Sequence, residues 1–130
     1  MDQELYDAGL AKRRKVVGRE YVDRALGGAD SFTRPFQELI TTYCWGGVWG
    51  SGTALDDHQR SLNNLCILAS MGRWEELELH LHGALRNGCT PDEIRETLTQ
   101  IAVYAGVPVG VSAFKIARRV LEEEGIEIPA

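Results

Sequence analysis

Thr90-Pro-Asp-Glu-Ile-Arg-Glu-Thr-Leu-Thr-Gln-Ile-Ala-Val-Tyr-Ala-Gly106-Val-Pro108 is the stretch that decides the fold class. Thr90 is a helix-capping residue, Pro91 suits a first helical turn, and Glu93 stands where its carboxylate can reach back to the cap. Beyond this start, Ile94, Leu98, Ile101, Ala102 and Ala105 recur at spacings of three and four, the period of a helix face. Gly106-Val107-Pro108 ends the pattern. The segment therefore reads as an α-helix, with Ile101 to Ala105 apolar enough to be buried all round.

The same period continues on both sides of it. Towards the C-terminus a helix is expected from about Val109 to Glu124, with Val111, Phe114, Ala117, Val120 and Leu121 inward. Towards the N-terminus, Trp74, Leu77, Leu81, Ala84 and Leu85 form a stripe closed by Asn87-Gly88. Before that, Asp56 or Asp57 can cap a helix with Leu62, Leu65, Cys66, Leu68 and Ala69 on one face, ending at Met71-Gly72. Gly50-Ser51-Gly52-Thr53 reads as a loop. Thr33-Arg34-Pro35 starts a helix carrying Phe36, Leu39, Ile40, Tyr43 and Trp45, which Gly46-Gly47 should loosen. A short helix covers Arg19–Leu26 and stops at Gly27-Gly28. The opening helix, Gln3 to Lys15, ends in Lys12-Arg13-Arg14-Lys15, which reads as a solvated helix end suited to the negative pole of the helix dipole. Nothing alternates with period two for long enough to make a strand. The fold class is all-α, in a single domain spanning 1–130.

Composition bounds the function. The 130 residues are 44% hydrophobic and 25% charged, with 14 Lys+Arg against 19 Asp+Glu and a net charge of −5. That acidic balance argues against a general nucleic-acid or anionic-membrane binder. No apolar run reaches the roughly 18 residues of a membrane span. The acidic start, Met1-Asp-Gln-Glu-Leu-Tyr-Asp, lacks the layout of a signal peptide, so a cytoplasmic protein is expected. Cys44, Cys66 and Cys89 are odd in number and widely spaced, which speaks for packing in a reducing compartment rather than a disulfide framework. Several helices are apolar on more than one face, more than so short a chain can hide. A homo-oligomer is expected.

Few groups stand out as chemistry. Glu76 and His80 lie four apart, on one helix face, where a carboxylate can raise an imidazole's pKa and orient it for proton transfer. Glu78 and His82 repeat the spacing, and periodicity cannot choose between the pairs. His58 falls in a first helical turn, an ordinary place for a solvated histidine. No HExxH or CxxC occurs, and His80 and His82 point to different sides of their helix, so no metal is expected. No cysteine lies a helical turn from a histidine, which weakens thiol catalysis. Trp45, Trp49 and Trp74 are packing residues or a cavity wall.

Taken together, Phe36-Gln-Glu-Leu-Ile-Thr-Thr-Tyr-Cys-Trp45, Arg60-Ser-Leu62, Gly72-Arg-Trp-Glu-Glu-Leu-Glu-Leu-His80, Gly83-Ala-Leu-Arg-Asn-Gly88 and Ala102-Val-Tyr-Ala-Gly-Val-Pro108 resemble the carboxymuconolactone decarboxylase family. So does the opening Gly18-Arg-Glu-Tyr-Val-Asp-Arg-Ala-Leu26. The resemblance implies an alkylhydroperoxidase-like fold of six to seven helices, built into trimers or hexamers. It implies a cofactor-free decarboxylation of 4-carboxymuconolactone to the 3-oxoadipate enol-lactone in aromatic-acid (protocatechuate) breakdown. On this reading His80 delivers a proton with Glu76 beside it, Arg60 holds a substrate carboxylate, and Trp45, Trp49 and Tyr104 wall an apolar pocket. A related lyase or isomerase on another small cyclic or keto acid, and a non-catalytic oligomeric binding protein, are the alternatives.

Two departures qualify the resemblance. The wider fold includes thiol peroxidases with the pattern Glu-x11-Cys-x2-Cys-x3-His. With His80 in the histidine place, the other places fall on Ser61, Arg73 and Glu76, so no thiol or relay carboxylate is present. The alignment also favours Glu76/His80 over Glu78/His82. Many family members read Trp-Gly-Glu-x-Trp-x-Arg-Pro-Gly-Leu, where this chain has Trp45-Gly-Gly-Val-Trp-Gly-Ser-Gly-Thr-Ala-Leu55, with Gly47 for the acid and no arginine. Another lactone or β-keto-type acid is thereby admitted as substrate.

Overall fold

A computed structural model describes all residues, 1–130. The chain forms helices α1 (Gln3–Val17), α2 (Arg19–Gly27) and α3 (Arg34–Leu39), a π-helix (Ile40–Trp49), then α4 (Asp57–Ser70), α5 (Trp74–Arg86), α6 (Pro91–Ala105) and α7 (Val107–Glu123). There is no strand, and the class is all-α as the spacing predicts. No helix is long and apolar enough to cross a membrane. The helices gather into two compact units, residues 1–57 and 58–130.

In the first unit, the Asp2 carboxylate caps α1 by accepting from the Leu5 N–H at 3.1 Å. The helix then packs against the π-helix backbone to backbone. A Cβ added at Gly9 would lie 2.1 Å from the Thr41 carbonyl oxygen and 2.7 Å from the Gly46 nitrogen. One added at Gly46 would lie 2.5 Å from the Leu5 carbonyl oxygen. This contact corrects the expectation that Gly46-Gly47 loosens the helix. The chain instead continues as a π-helix to Trp49, and the Gly50 N–H reaches the Trp45 carbonyl at 2.9 Å, the wider i→i+5 turn. Thr41, Trp45, Gly46 and Trp49 are its buried residues.

The basic cluster on α1 is also more than a solvated end. Lys12 and Lys15 reach Asp57 at 2.9 and 2.5 Å, and Arg14 pairs with Asp23 at 2.7 Å. Burial works to raise the Asp57 carboxyl, but the bonds from Lys15 and Lys12 outweigh it and hold the group below its ordinary value. Arg13 is only 4% exposed and donates to Thr41 Oγ1 at 3.0 Å, while that hydroxyl donates to the Gln37 carbonyl at 2.8 Å. Loss of solvent lowers the Arg13 pKa.

In the second unit, α4 and α5 form a hairpin whose turn passes through Gly72 at φ 70°, the left-handed region that glycine enters without strain. Leu65 and Ala69 of α4 share one core with Leu77, Leu81 and Ala84 of α5, with Ile94, Leu98 and Ile101 of α6, and with Ala113, Ala117 and Val120 of α7. The start of α6 is the capping box expected from Thr90 and Glu93: the Glu93 N–H donates to Thr90 Oγ1 at 3.1 Å and the Thr90 N–H to Glu93 Oε1 at 3.0 Å.

The inward face of α7 differs from the expectation. Gly110, Ala113, Ala117 and Val120 are buried, whereas Val111 and Phe114 are exposed. A Cβ at Gly110 would stand 2.5 Å from Ala102 Cβ, so α6 and α7 meet through small residues and the larger ones turn outward. The end of α6 differs as well. Ile101 is buried, but Val103 and Tyr104 are 75% and 86% exposed, because neighbouring helices within the unit cover one side of α6 only.

The glycine contact carries a direct test. Gly9→Ala should lower stability by about 3 kcal/mol or more, since the added methyl meets backbone that cannot rotate away. Gly27→Ala, where nothing lies within 4 Å, should leave stability unchanged or raise it by up to about 1 kcal/mol. Urea unfolding of both variants is the measurement. Equal midpoints would show that α1 and the π-helix can shift apart without cost.

Candidate active site

The α4–α5 hairpin supplies the chemistry-bearing groups of the second unit. Helix packing requires apolar residues along the shared face, and Leu65, Ala69, Leu77 and Leu81 meet that need. Polar residues are interleaved with them. Asn64 Nδ2 lies 3.4 Å from His80 Nδ1, and Asn87 Nδ2 donates to the buried Ser61 Oγ at 2.9 Å. Arg60 is one helical turn before Asn64 and so shares its side of α4. The Arg60 Nε is buried and has no acceptor.

His80 itself is largely withdrawn from water. Burial pulls its pKa from 6.5 down to about 4, and the opposing field of Glu76 is too weak to restore it. The sequence pattern suggests the opposite direction, an imidazole raised by its carboxylate neighbour. The reason for the reversal is the state of Glu76. Its carboxylate faces solvent in an ion pair with Arg73, and the hydrogen bond from Arg73 holds its pKa below the ordinary value. His80 is therefore neutral at pH 7.

Glu78 and His82 lie elsewhere in the unit. His82 Nδ1 meets Glu124 Oε1 at 2.6 Å and His82 Nε2 meets Glu123 Oε2 at 3.1 Å, while Arg119 binds Glu78 at 3.1 Å. The ligand atoms of Glu78, His82 and Glu123 all fall within 4.8 Å of one another. Arg119, 3.8 Å from Glu123 Oε1 as well, already supplies positive charge to those carboxylates. The group reads as an ion-pair network tying α5 to the end of α7. His58, expected to be solvated, joins its Nε2 to Glu93 Oε2 at 2.7 Å and so links the first turn of α4 to the cap of α6.

The aromatic candidates divide. Trp45 and Trp49 are buried in the first unit and stack with centroids 5.0 Å apart and planes inclined by 29°. Tyr104 stands on the last turn of α6, outward, and walls nothing in the single chain. A groove of about 670 Å³ between α6 and α7, lined by Leu98, Phe114, Leu121 and Ile128, contains none of the candidate residues. The three cysteines are unpaired by disulfides; burial pushes the Cys44 and Cys66 thiols up, and Cys89 is inside the core. None of these is the environment of a reactive thiolate.

Sequence reading passed over Asn64. The available signal was a polar residue one turn after Arg60, at a position between Leu62 and Leu65 where a wholly apolar helix would continue.

Fold and site together define an all-helical protein with a largely desolvated histidine on α5 and no thiol pair beside it. Residues 34–119 match the Carboxymuconolactone decarboxylase family. The chain is 42% identical to nitrosuccinic acid decarboxylase npaB of Metarhizium robertsii over 95% of its own length and 85% of that protein's. It is 37% identical to 4-carboxymuconolactone decarboxylase of Acinetobacter baylyi over 96% of its length and 92% of that protein's. The chain belongs to the carboxymuconolactone decarboxylase family, and it is a carboxy-lyase.

The depressed pKa of His80 has a consequence for stability. Between about pH 6.5 and pH 4 the unfolded chain binds a proton at this residue and the folded chain does not, so stability falls as pH drops through that window. The contribution at stake is about 3 kcal/mol. Urea unfolding at pH 7 and at the acid end of the window should show a loss that shrinks in His80→Gln. The same loss in the variant would place the titrating group elsewhere.

Proposed function

We propose that the protein decarboxylates a small carboxylated lactone of the 4-carboxymuconolactone type, with His80 at the reacting centre and Arg60 holding a substrate carboxylate. The observation that carries this reading is the shared α4 face, where Asn64 touches the half-buried His80 and Arg60, one turn away, keeps a buried Nε without a protein acceptor. An anionic substrate supplies the missing acceptor.

The chemistry needs no electron sink beyond the substrate. Loss of carbon dioxide from the ring carbon leaves an electron pair that delocalises through the alkene onto the lactone carbonyl. The protein's task is to stabilise that oxyanion and to allow a proton to reach carbon. A site withdrawn from water favours departure of a charged carboxylate. The name of the Acinetobacter relative supports this substrate. The working unit is proposed to be a homo-oligomer, which would cover the outward Val103, Tyr104, Val107 and Val111 and give Tyr104 a neighbour to wall.

A second reading is favoured by the Metarhizium relative and by the altered Trp45–Leu55 segment. In nitrosuccinic acid a carboxylate sits on the carbon bearing the nitro group, so its loss gives a nitronate. The demand on the protein is the same: a developing oxyanion, and a second carboxylate to be held. The two readings share His80 and Arg60 and differ only in the shape of the acid.

Purified protein should release carbon dioxide from one of these two acids, and His80→Ala should lower turnover by about 100-fold or more. Arg60→Gln should raise KM more than it lowers kcat, as expected for a group that binds a spectator carboxylate. Thiol-blocking reagents should leave the rate intact. Undiminished turnover in His80→Ala would remove the histidine from the mechanism.

A further inference from the structure

We propose that Asn64 is a positioning residue for His80: its amide holds the imidazole in the tautomer that carries hydrogen on Nε2, so that the ring meets the developing oxyanion as a hydrogen-bond donor and keeps its own proton throughout. This deepens the proposed function and rests on it for the identity of the oxyanion.

The argument starts from what each group can do. An amide NH2 has hydrogens to give and no lone pair to offer, so the nitrogen facing it must accept. That nitrogen is His80 Nδ1, 3.4 Å away, at the long end of the hydrogen-bond range. A neutral imidazole that accepts at Nδ1 carries its hydrogen on Nε2. Burial favours the neutral ring, because the one carboxylate near it on α5, Glu76, is drawn into solvent by Arg73. Of the other titratable groups of this unit, Glu78 of the same helix pairs with Arg119 and His82 with Glu123 and Glu124, while His58 of α4 pairs with Glu93 of α6.

A neutral imidazole is a poor acid, yet its N–H is a competent electrophile towards an oxyanion, and a low-dielectric setting strengthens that bond. The reaction balances without protonating or deprotonating the histidine. The bond between the ring carbon and the leaving carboxylate breaks, carbon dioxide departs, and the electron pair moves to the carbonyl oxygen of the lactone (or the nitro oxygen of a nitro acid). Nε2–H bonds to that oxygen. The carbon is then protonated by water, and the resulting hydroxide is neutralised by the proton that bulk solvent returns. This replaces the simplest reading of His80, delivery of its own proton to the carbon.

Asn64 is singled out by its place. It lies on α4 rather than on the helix of the histidine, and it belongs to the same face as Arg60. One face of one helix would thus orient both the group that binds a carboxylate and the group that receives the charge left behind.

The test reads the tautomer directly. In the full chain labelled with 15N histidine, the His80 Nδ1 resonance should fall in the unprotonated range and Nε2 in the protonated range from about pH 5.5 to pH 8. In Asn64→Asp a carboxylate, which can only accept, replaces the amide. The ring should then reverse to carry its hydrogen on Nδ1, and kcat should fall about 100-fold with KM little changed. Asn64→Leu should give a mixture of tautomers and an intermediate rate, with a far-ultraviolet spectrum like that of the wild type. Hydrogen on Nδ1 in the wild type, a charged ring at pH 7, or a tautomer indifferent to Asn64→Asp would each overturn the proposal. Absence of turnover on both acids by a wild type of the expected tautomer would instead overturn the proposed function, so the two failures are distinct.

Discussion

Taking an imidazole largely out of water, while the carboxylate one turn before it, Glu76, is paired with Arg73, is the constraint on which the second unit depends. Solvation of the imidazolium is lost, so His80 stays neutral at pH values where an exposed histidine begins to titrate. Everything near it then has to suit an uncharged ring. The amide of Asn64 does so, because it offers a hydrogen and no charge. Glu76 would not, and its carboxylate is held in solvent by Arg73. Leu65 and Ala69 share the buried core with Leu77 and Leu81 on the same two helices.

With His80 in the histidine place, the resemblance implies that Arg73 and Glu76 would fall where thiol peroxidases of similar fold carry their cysteines. An ion pair there cannot be oxidised to a disulfide, and it leaves the histidine next in the series without a thiolate to relay protons to. The same helical frame is thereby open to chemistry in which the substrate carries its own electron sink. Decarboxylation next to a conjugated carbonyl or a nitro group is of that kind, and the two relatives are named as decarboxylases of a lactone acid and of a nitro acid.

The first unit is governed by a different necessity, the approach of two backbones. Gly9 and Gly46 are glycines because the carbonyls of Thr41 and Leu5 fill the space that a Cβ would need. A glycine pair ordinarily weakens a helix, which is why Gly46-Gly47 reads as a place where the helix loosens. In the folded unit the glycines are instead the contact surface, and the wider π-helical turn places Trp45 and Gly46 on the buried side together with Thr41 and Trp49. Arg13 likewise departs from the solvated base that its cluster suggests. Its guanidinium is buried against Thr41, while its neighbours Lys12, Arg14 and Lys15 are the ones that meet carboxylates near the surface.

Local rules determined most of the architecture. Caps, first-turn prolines and spacings of three and four mark every α-helix from α4 to α7 to within a few residues, and the capping box at Thr90 and Glu93 forms as those rules require. Such signals act between residues a turn apart, and sequence records them in full. Residue type and family resemblance single out His80 and Arg60 as candidates. Only the tertiary structure decided the charge state of His80, the diversion of Glu76 to Arg73, the absorption of His82 by Glu123 and Glu124, and the partnership of Asn64 with the imidazole. Each depends on how much water remains and on which side chain from another turn or another helix arrives first. Desolvation and competition for partners are properties of the packed molecule, and no spacing along the chain encodes them.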